Sequence, residues 1–97
     1  MSVPSIGALT LEIELEEAYS LKDKRNVVRS LKDRLRSKFN VSVAEIGGQG
    51  TWNRAVVAAV TVSVDREFAE KVLQAVEREA ENILGGSLTG SGIEWLS

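Results

Sequence analysis

Between Lys22 and Lys38 the chain carries eight basic residues against two acids, Asp23 and Asp33. That segment is +6 in a chain whose net charge is −2, so the remaining residues are strongly acidic. Lys22, Arg25, Arg29, Lys32 and Arg36 recur at steps of three and four. On an α-helix they form one stripe about 21 Å long. Like charges at that spacing repel by a few tenths of a kcal/mol each, and a polyanion relieves the repulsion phosphate by phosphate. The stripe suits contact with RNA or the ribosome. It equally suits a solvated helix face, neutralisation by acids elsewhere in the chain, or an acidic protein partner. Lys24 falls beside the apolar side of the same helix, where a buried stem with its ammonium in water is expected.

A second group follows in Gly47-Gly48-Gln49-Gly50-Thr51-Trp52-Asn53-Arg54. Trp52 offers a face for base stacking, Arg54 a cation for phosphate, and Gln49 a polar contact beside them. A Trp at a strand start is also a common packing anchor. The glycine run does not open a helix and lacks the Lys-Ser/Thr of a phosphate-binding loop, so it is not a nucleotide site. Glu12, Glu14 and Glu16 share a strand face on which a hard cation or a shared proton is conceivable. Nothing positions a nucleophile or second catalytic group beside them, and such a row more often guards a strand against aggregation. The chain has no histidine and no cysteine. Cys/His zinc sites, thiolate chemistry and Ser-His or Cys-His pairs are therefore excluded by inventory. The expectation is a protein with no catalytic residues, no metal and no cofactor.

The elements that must position these residues each have their own periodicity. Ile6 to Glu16 alternates, with Leu9, Leu11, Ile13 and Leu15 on one face and Thr10, Glu12, Glu14 and Glu16 on the other, which predicts a half-buried strand. Ser20 followed by Asp23 has the form of a capping box. It opens a helix running to about Phe39, with Leu21, Val27, Val28, Leu31, Leu35 and Phe39 on its apolar side and Asn40 as a left-handed stop. Val41–Ile46 and the uncharged, Val-rich Ala55–Val64 predict two further strands around the glycine turn. Asp65 is placed to cap a second helix, whose apolar residues are Phe68, Ala69, Val72, Val76, Ala80 and Ile83 and which ends at Gly85-Gly86. A last strand covers about Ser87 to Leu96, irregular at its start. The order β-α-β-β-α-β predicts one α+β domain over residues 1–97, ferredoxin-like, with two helices on one face of a four-stranded antiparallel sheet.

Within this frame several segments are distinctive: Ser20-Leu21-Lys22-Asp23-Lys24-Arg25, then Phe39-Asn40-Val41-Ser42-Val43-Ala44-Glu45, then Gln49, Trp52 and Arg54, then Val60-Thr61-Val62-Ser63, and finally Glu94-Trp95-Leu96. Together, over about Ile6 to Leu96, the chain resembles the YlxP-like family of small bacterial proteins, a domain of unknown function. The resemblance implies a ferredoxin-like fold. It also implies a ribosome- or RNA-related setting, because genes of the family often lie beside those for translation initiation and ribosome-maturation factors.

The open face of the sheet is the remaining surface. Its first strand offers Thr10, Glu12 and Glu14, and its third either Val57, Ala59, Thr61 and Ser63 or the alternate, Val-rich set. Neither set carries an aromatic, and the carboxylates repel phosphate, so this face is not an RNA platform. It suits a homodimer instead, one that would bury Val57 and Ala59. The N-terminus has no basic region ahead of an apolar run, and Ala55–Val64 is about half the ~20 residues a membrane span needs, so a cytoplasmic protein without membrane contact is expected. The reading that joins these features is an RNA- or ribosome-associated accessory protein, ribosomal RNA being the foremost partner. It docks by Lys22, Arg25, Arg29, Lys32, Arg36 and Arg54, with Gln49 and Trp52 as loop contacts. The alternative is a homodimeric protein-interaction or regulatory module with no nucleic acid partner.

Overall fold

In the computed structural model, which describes residues 3–16, 18 and 20–97, the elements run β1 (Ser5–Glu14), α1 (Leu21–Lys38), β2 (Ser42–Gly47), β3 (Arg54–Ser63), α2 (Arg66–Leu84) and β4 (Leu88–Trp95). The strands form one antiparallel sheet in the order β2-β3-β1-β4. Helix α1 lies over β2 and β3, and α2 over β3, β1 and β4. This is the ferredoxin-like arrangement expected from the periodicities.

Alternation decides which residues enter the core. Leu9, Leu11 and Ile13 of β1 pair with Ala59, Val57 and Ala55 of β3, and all six are buried beneath the helices. Val57 and Ala59 therefore cannot form the outer surface of a dimer, contrary to the expectation above. The open face belongs to the alternate set, Val56, Ala58, Val60 and Val62, opposite Glu12, Thr10, Ala8 and Ile6. Thr61 is also in the core, where its hydroxyl donates to the Asn40 carbonyl at 2.9 Å.

The helices begin as their capping residues dictate. The Ser20 hydroxyl accepts from the Asp23 amide at 3.1 Å, and the Asp65 carboxylate accepts from the Glu67 amide at 3.0 Å. The end of α1 differs from the expectation. Asn40 is not left-handed; the chain leaves the helix through an extended Phe39, whose amide still bonds Leu35. In α2 the apolar face is built on Ala69, Leu73, Val76, Ala80 and Leu84, whereas Phe68 and Ile83 are exposed. Gly85, at φ +54°, ends α2 and leads through one 3₁₀ turn, Gly85–Ser87, into β4.

The α1 layer is locked to the β2–β3 hairpin by Lys24. Its side chain is 1% exposed, so the ammonium does not reach water as expected but turns inward. It donates to the Gly48 carbonyl at 2.6 Å and lies 3.4 Å from a Glu45 carboxylate oxygen that is buried and otherwise without a hydrogen bond. The Gly48 carbonyl also accepts from the Thr51 amide and hydroxyl. Gly48 sits at φ +79°, and a Cβ there would lie 2.5 Å from the Arg54 carbonyl oxygen, so no other residue fits.

Lys24→Met keeps the stem and removes the charge, leaving the buried Glu45 oxygen without its cation while the Gly48 carbonyl keeps only its Thr51 donors. Urea denaturation should show a loss of about 2 kcal/mol. Gly48→Ala should cost about 2 kcal/mol or more in the same assay through strain and clash. A Lys24→Met protein as stable as the parent would show that the buried ammonium contributes nothing net.

Candidate nucleic-acid interface

Helix α1 buries one face, with Lys24, Val28, Leu31 and Leu35 at its centre, and this fixes where every other side chain points. Arg34 and Lys38 fall on the side toward α2. There they meet Glu79, a carboxylate among the buried residues of α2: Arg34 Nε lies 3.1 Å from one oxygen and Lys38 Nζ 2.7 Å from the other. The hydrogen bond from Lys38 is the main cause that holds the Glu79 carboxyl below its usual 4.5, with Arg34 adding to it against the opposing effect of desolvation.

The stripe occupies the opposite flank, toward the edge strand β2. Lys22, Arg25 and Arg29 are exposed and Lys32 is half-buried, and none of the four forms an ion pair among the described residues. Arg36 is engaged: it donates to the Val43 carbonyl of β2 at 2.7 Å and stands 3.8 Å from Asp33. The eight basic residues thus divide by function. Lys24, Arg34 and Lys38 are matched to carboxylates, Arg36 braces the sheet edge, and four cations face solvent over about 15 Å of helix.

The hairpin loop lies at the N-terminal end of this stripe, because Lys24 grips Gly48. Trp52 is 50% exposed, so it is not a buried packing anchor. Gln49 is exposed, its amide donating to the Glu45 carbonyl at 3.3 Å. Arg54 does not join the stripe. It projects from the open face of the sheet, directly across from Glu14, on the opposite side from α1. Trp95 instead packs on the domain, its ring against Gly7 and beneath the Arg66 guanidinium, 4.4 Å from the ring centre. β1 stops at Glu14, so Glu16 lies in a turn beyond the strand instead of sharing its face with Glu12 and Glu14, and no three acidic residues among those described are grouped as metal ligands.

Two features escaped the sequence reading. Glu79 is the first, although its place three residues after Val76 put a carboxylate on the apolar side of α2. The second is the burial of the Lys24 ammonium, for which only its helical angle gave a sign.

Residues 6–90 match the model of a protein family described as "protein of unknown function (DUF503)". The chain belongs to that family. The uncharacterized protein YlxP of Bacillus subtilis (strain 168) is 44% identical to it over 71 residues, which is 73% of this chain and 77% of that protein. Among solved structures, the de novo designed protein Foldit4 aligns with a TM-score of 0.61 at 12% identity, over 98% of both chains. A dimeric ferredoxin-like protein of unknown function from Thermobifida fusca aligns with a TM-score of 0.50 at 15% identity, over 95% of this chain and 91% of that one. At such identities the structural likeness concerns the fold alone. No helix among the described residues is long and apolar enough to cross a membrane.

Because Glu79 titrates below its ordinary value in the folded protein, its contribution to stability is complete above about pH 4.5 and is lost as pH falls through the lowered value. Glu79→Gln should therefore be less stable than the parent at pH 6, and the gap should narrow progressively below pH 4.5. Urea denaturation across pH 3 to 7 checks this, and a gap that stayed constant would assign the effect to packing.

Proposed function

We propose that this chain is a non-catalytic accessory protein that docks on structured RNA, ribosomal RNA foremost, through the outer flank of α1. The observation that carries this reading is the partition of the basic residues. The fold pairs Arg34 and Lys38 on one side of α1 with Glu79 and leaves Lys22, Arg25, Arg29 and Lys32 on the other without an ion pair among the described residues. A chain rich in acids, with two acids in α1 itself, had the means to pair them all. Aligned cations on a rigid helix meet a phosphate backbone without reorganising, and each contact releases a counterion. Trp52 adds a stacking surface at the end of the stripe, which favours RNA with an unpaired base near the bound segment. Arg54, on the far side of the sheet, takes no part. A cytoplasmic location follows from this role.

Fluorescence anisotropy with a structured ribosomal RNA fragment tests the reading. With four phosphates contacted, log Kd should rise with log salt at a slope of about 3. Joint replacement Arg25→Glu and Arg29→Glu should abolish binding with the fold intact by circular dichroism. Arg34→Gln, on the same helix but on the side turned to α2, should leave RNA affinity within about threefold of the parent. Equal losses from both sides of α1 would show a non-specific charge effect and sink the docking surface.

A further inference from the structure

We propose that the open face of the sheet is a self-association surface, closed by a second copy of this chain about a two-fold axis lying between β1 and β3 and parallel to them. The inference is independent of the RNA reading, which uses the opposite side of the molecule.

The middle row of the face is uncharged. One row across it reads Ala44, Ala58, Thr10 and Gly92, from β2 to β4, with no side chain larger than Thr. The next row toward the start of β1 reads Ser42, Val60, Ala8 and the exposed Glu94, whose carboxylate the axis below sets opposite the partner's small, polar Ser42, and the row beyond pairs Ile6 with Val62, which is 55% exposed. Small residues let a second sheet approach to the ~10 Å of face-to-face packing. Four strands, the central two ten residues long, present roughly 600 Å² of projected surface, close to the ~800 Å² per partner of a standard interface. Exposed Leu96, beside Ile6, extends the apolar area at that end.

Charge selects the occupant and the axis. At the other end of the face, Glu14 and Arg54 are direct cross-strand neighbours, yet they form no ion pair with each other or with any described residue. Rotation about an axis between β1 and β3, parallel to the strands, lays each β1 over the partner's β3. Each Arg54 then faces the Glu14 of the second copy, twice by symmetry, while Ile6 meets Val62 and Thr10 meets Ala58. A two-fold axis perpendicular to the strands would set these charges on Ile6 and Val62, so it is disfavoured. Glu12 does not obstruct the centre. A Cβ at Gly90 would lie 2.5 Å from a Glu12 carboxylate oxygen, so that carboxylate leans over β4.

Sedimentation equilibrium of the full chain tests this. The parent should be dimeric, with a dissociation constant on the order of micromolar. Gly92→Lys should give monomers, because a Cβ at Gly92 meets nothing within 4 Å in the single chain and would be covered only in the dimer. Arg54→Glu and Glu14→Arg should each weaken self-association at least ~tenfold, because each makes the facing charges alike. Mixed together, these two variants should pair with each other about as tightly as the parent pairs with itself. A parent that stays monomeric at about 100 μM overturns the proposal. So does a dimer indifferent to Gly92→Lys, and folded charge variants that fail to pair when mixed overturn the axis.

Discussion

The arrangement depends on one buried contact, the Lys24 ammonium held between the Gly48 carbonyl and the Glu45 carboxylate. An ammonium taken out of water is costly unless its donors are satisfied, so this contact has few tolerated geometries. It fixes the rotation of α1 about its own axis, because Lys24 must face the hairpin. Every other basic residue on the helix then has a determined direction. It also holds the β2–β3 loop against the helix, and the loop can meet that demand only because Gly48 adopts a conformation barred to other residues. The stripe and the start of the hairpin loop are consequently tied together.

Once the rotation is set, the division of charge follows from what lies on each side. Toward α2 stands Glu79, and it takes two cations at once, Lys38 and Arg34. Toward β2 stands an edge strand with unpaired backbone groups, and Arg36 occupies one of its carbonyls. An exposed strand edge invites pairing with another chain, and a charged side chain laid along it discourages that. The bulge between Glu45 and Gly47 disturbs the same edge further. The flank of α1 is thus protected from strand addition while four of its cations stay open to a partner that is not a strand.

The fold was legible because each element carries its own signal: the alternation of β1, the capping residues Ser20 and Asp65, and the glycines at the hairpin and after α2. What periodicity could not supply was the face of β3. In a strand as Val-rich and uncharged as Ala55–Val64, both alternate sets look fit for burial, and only pairing with Leu9 and Leu11 decides that Val57 and Ala59 go inward. The basic stripe was visible as spacing, but its partition was not. Sequence shows Arg34 and Lys32 as equivalent charges, and only the crossing of α1 by α2 brings Glu79 to one of them. Arg54 was grouped with the hairpin by its place in the chain, yet alternation along β3 sends it to the far side of the sheet.

The two surfaces are separated by the sheet itself, and this has a consequence for how they combine. Sheets packed face to face leave both helical layers outward, so self-association through Ala58 and Thr10 hides none of Lys22, Arg25, Arg29 or Lys32. A two-fold axis would then carry two such stripes on opposite outer faces of one body. A polyanion long or folded enough to reach both would bind the second stripe at the effective concentration set by the first. The acidic residues of the open face, Glu12, Glu14 and Glu94, would meanwhile be turned away from the basic helices. Association of copies and attraction of phosphate would therefore reinforce each other through geometry, with no conformational change required of either surface.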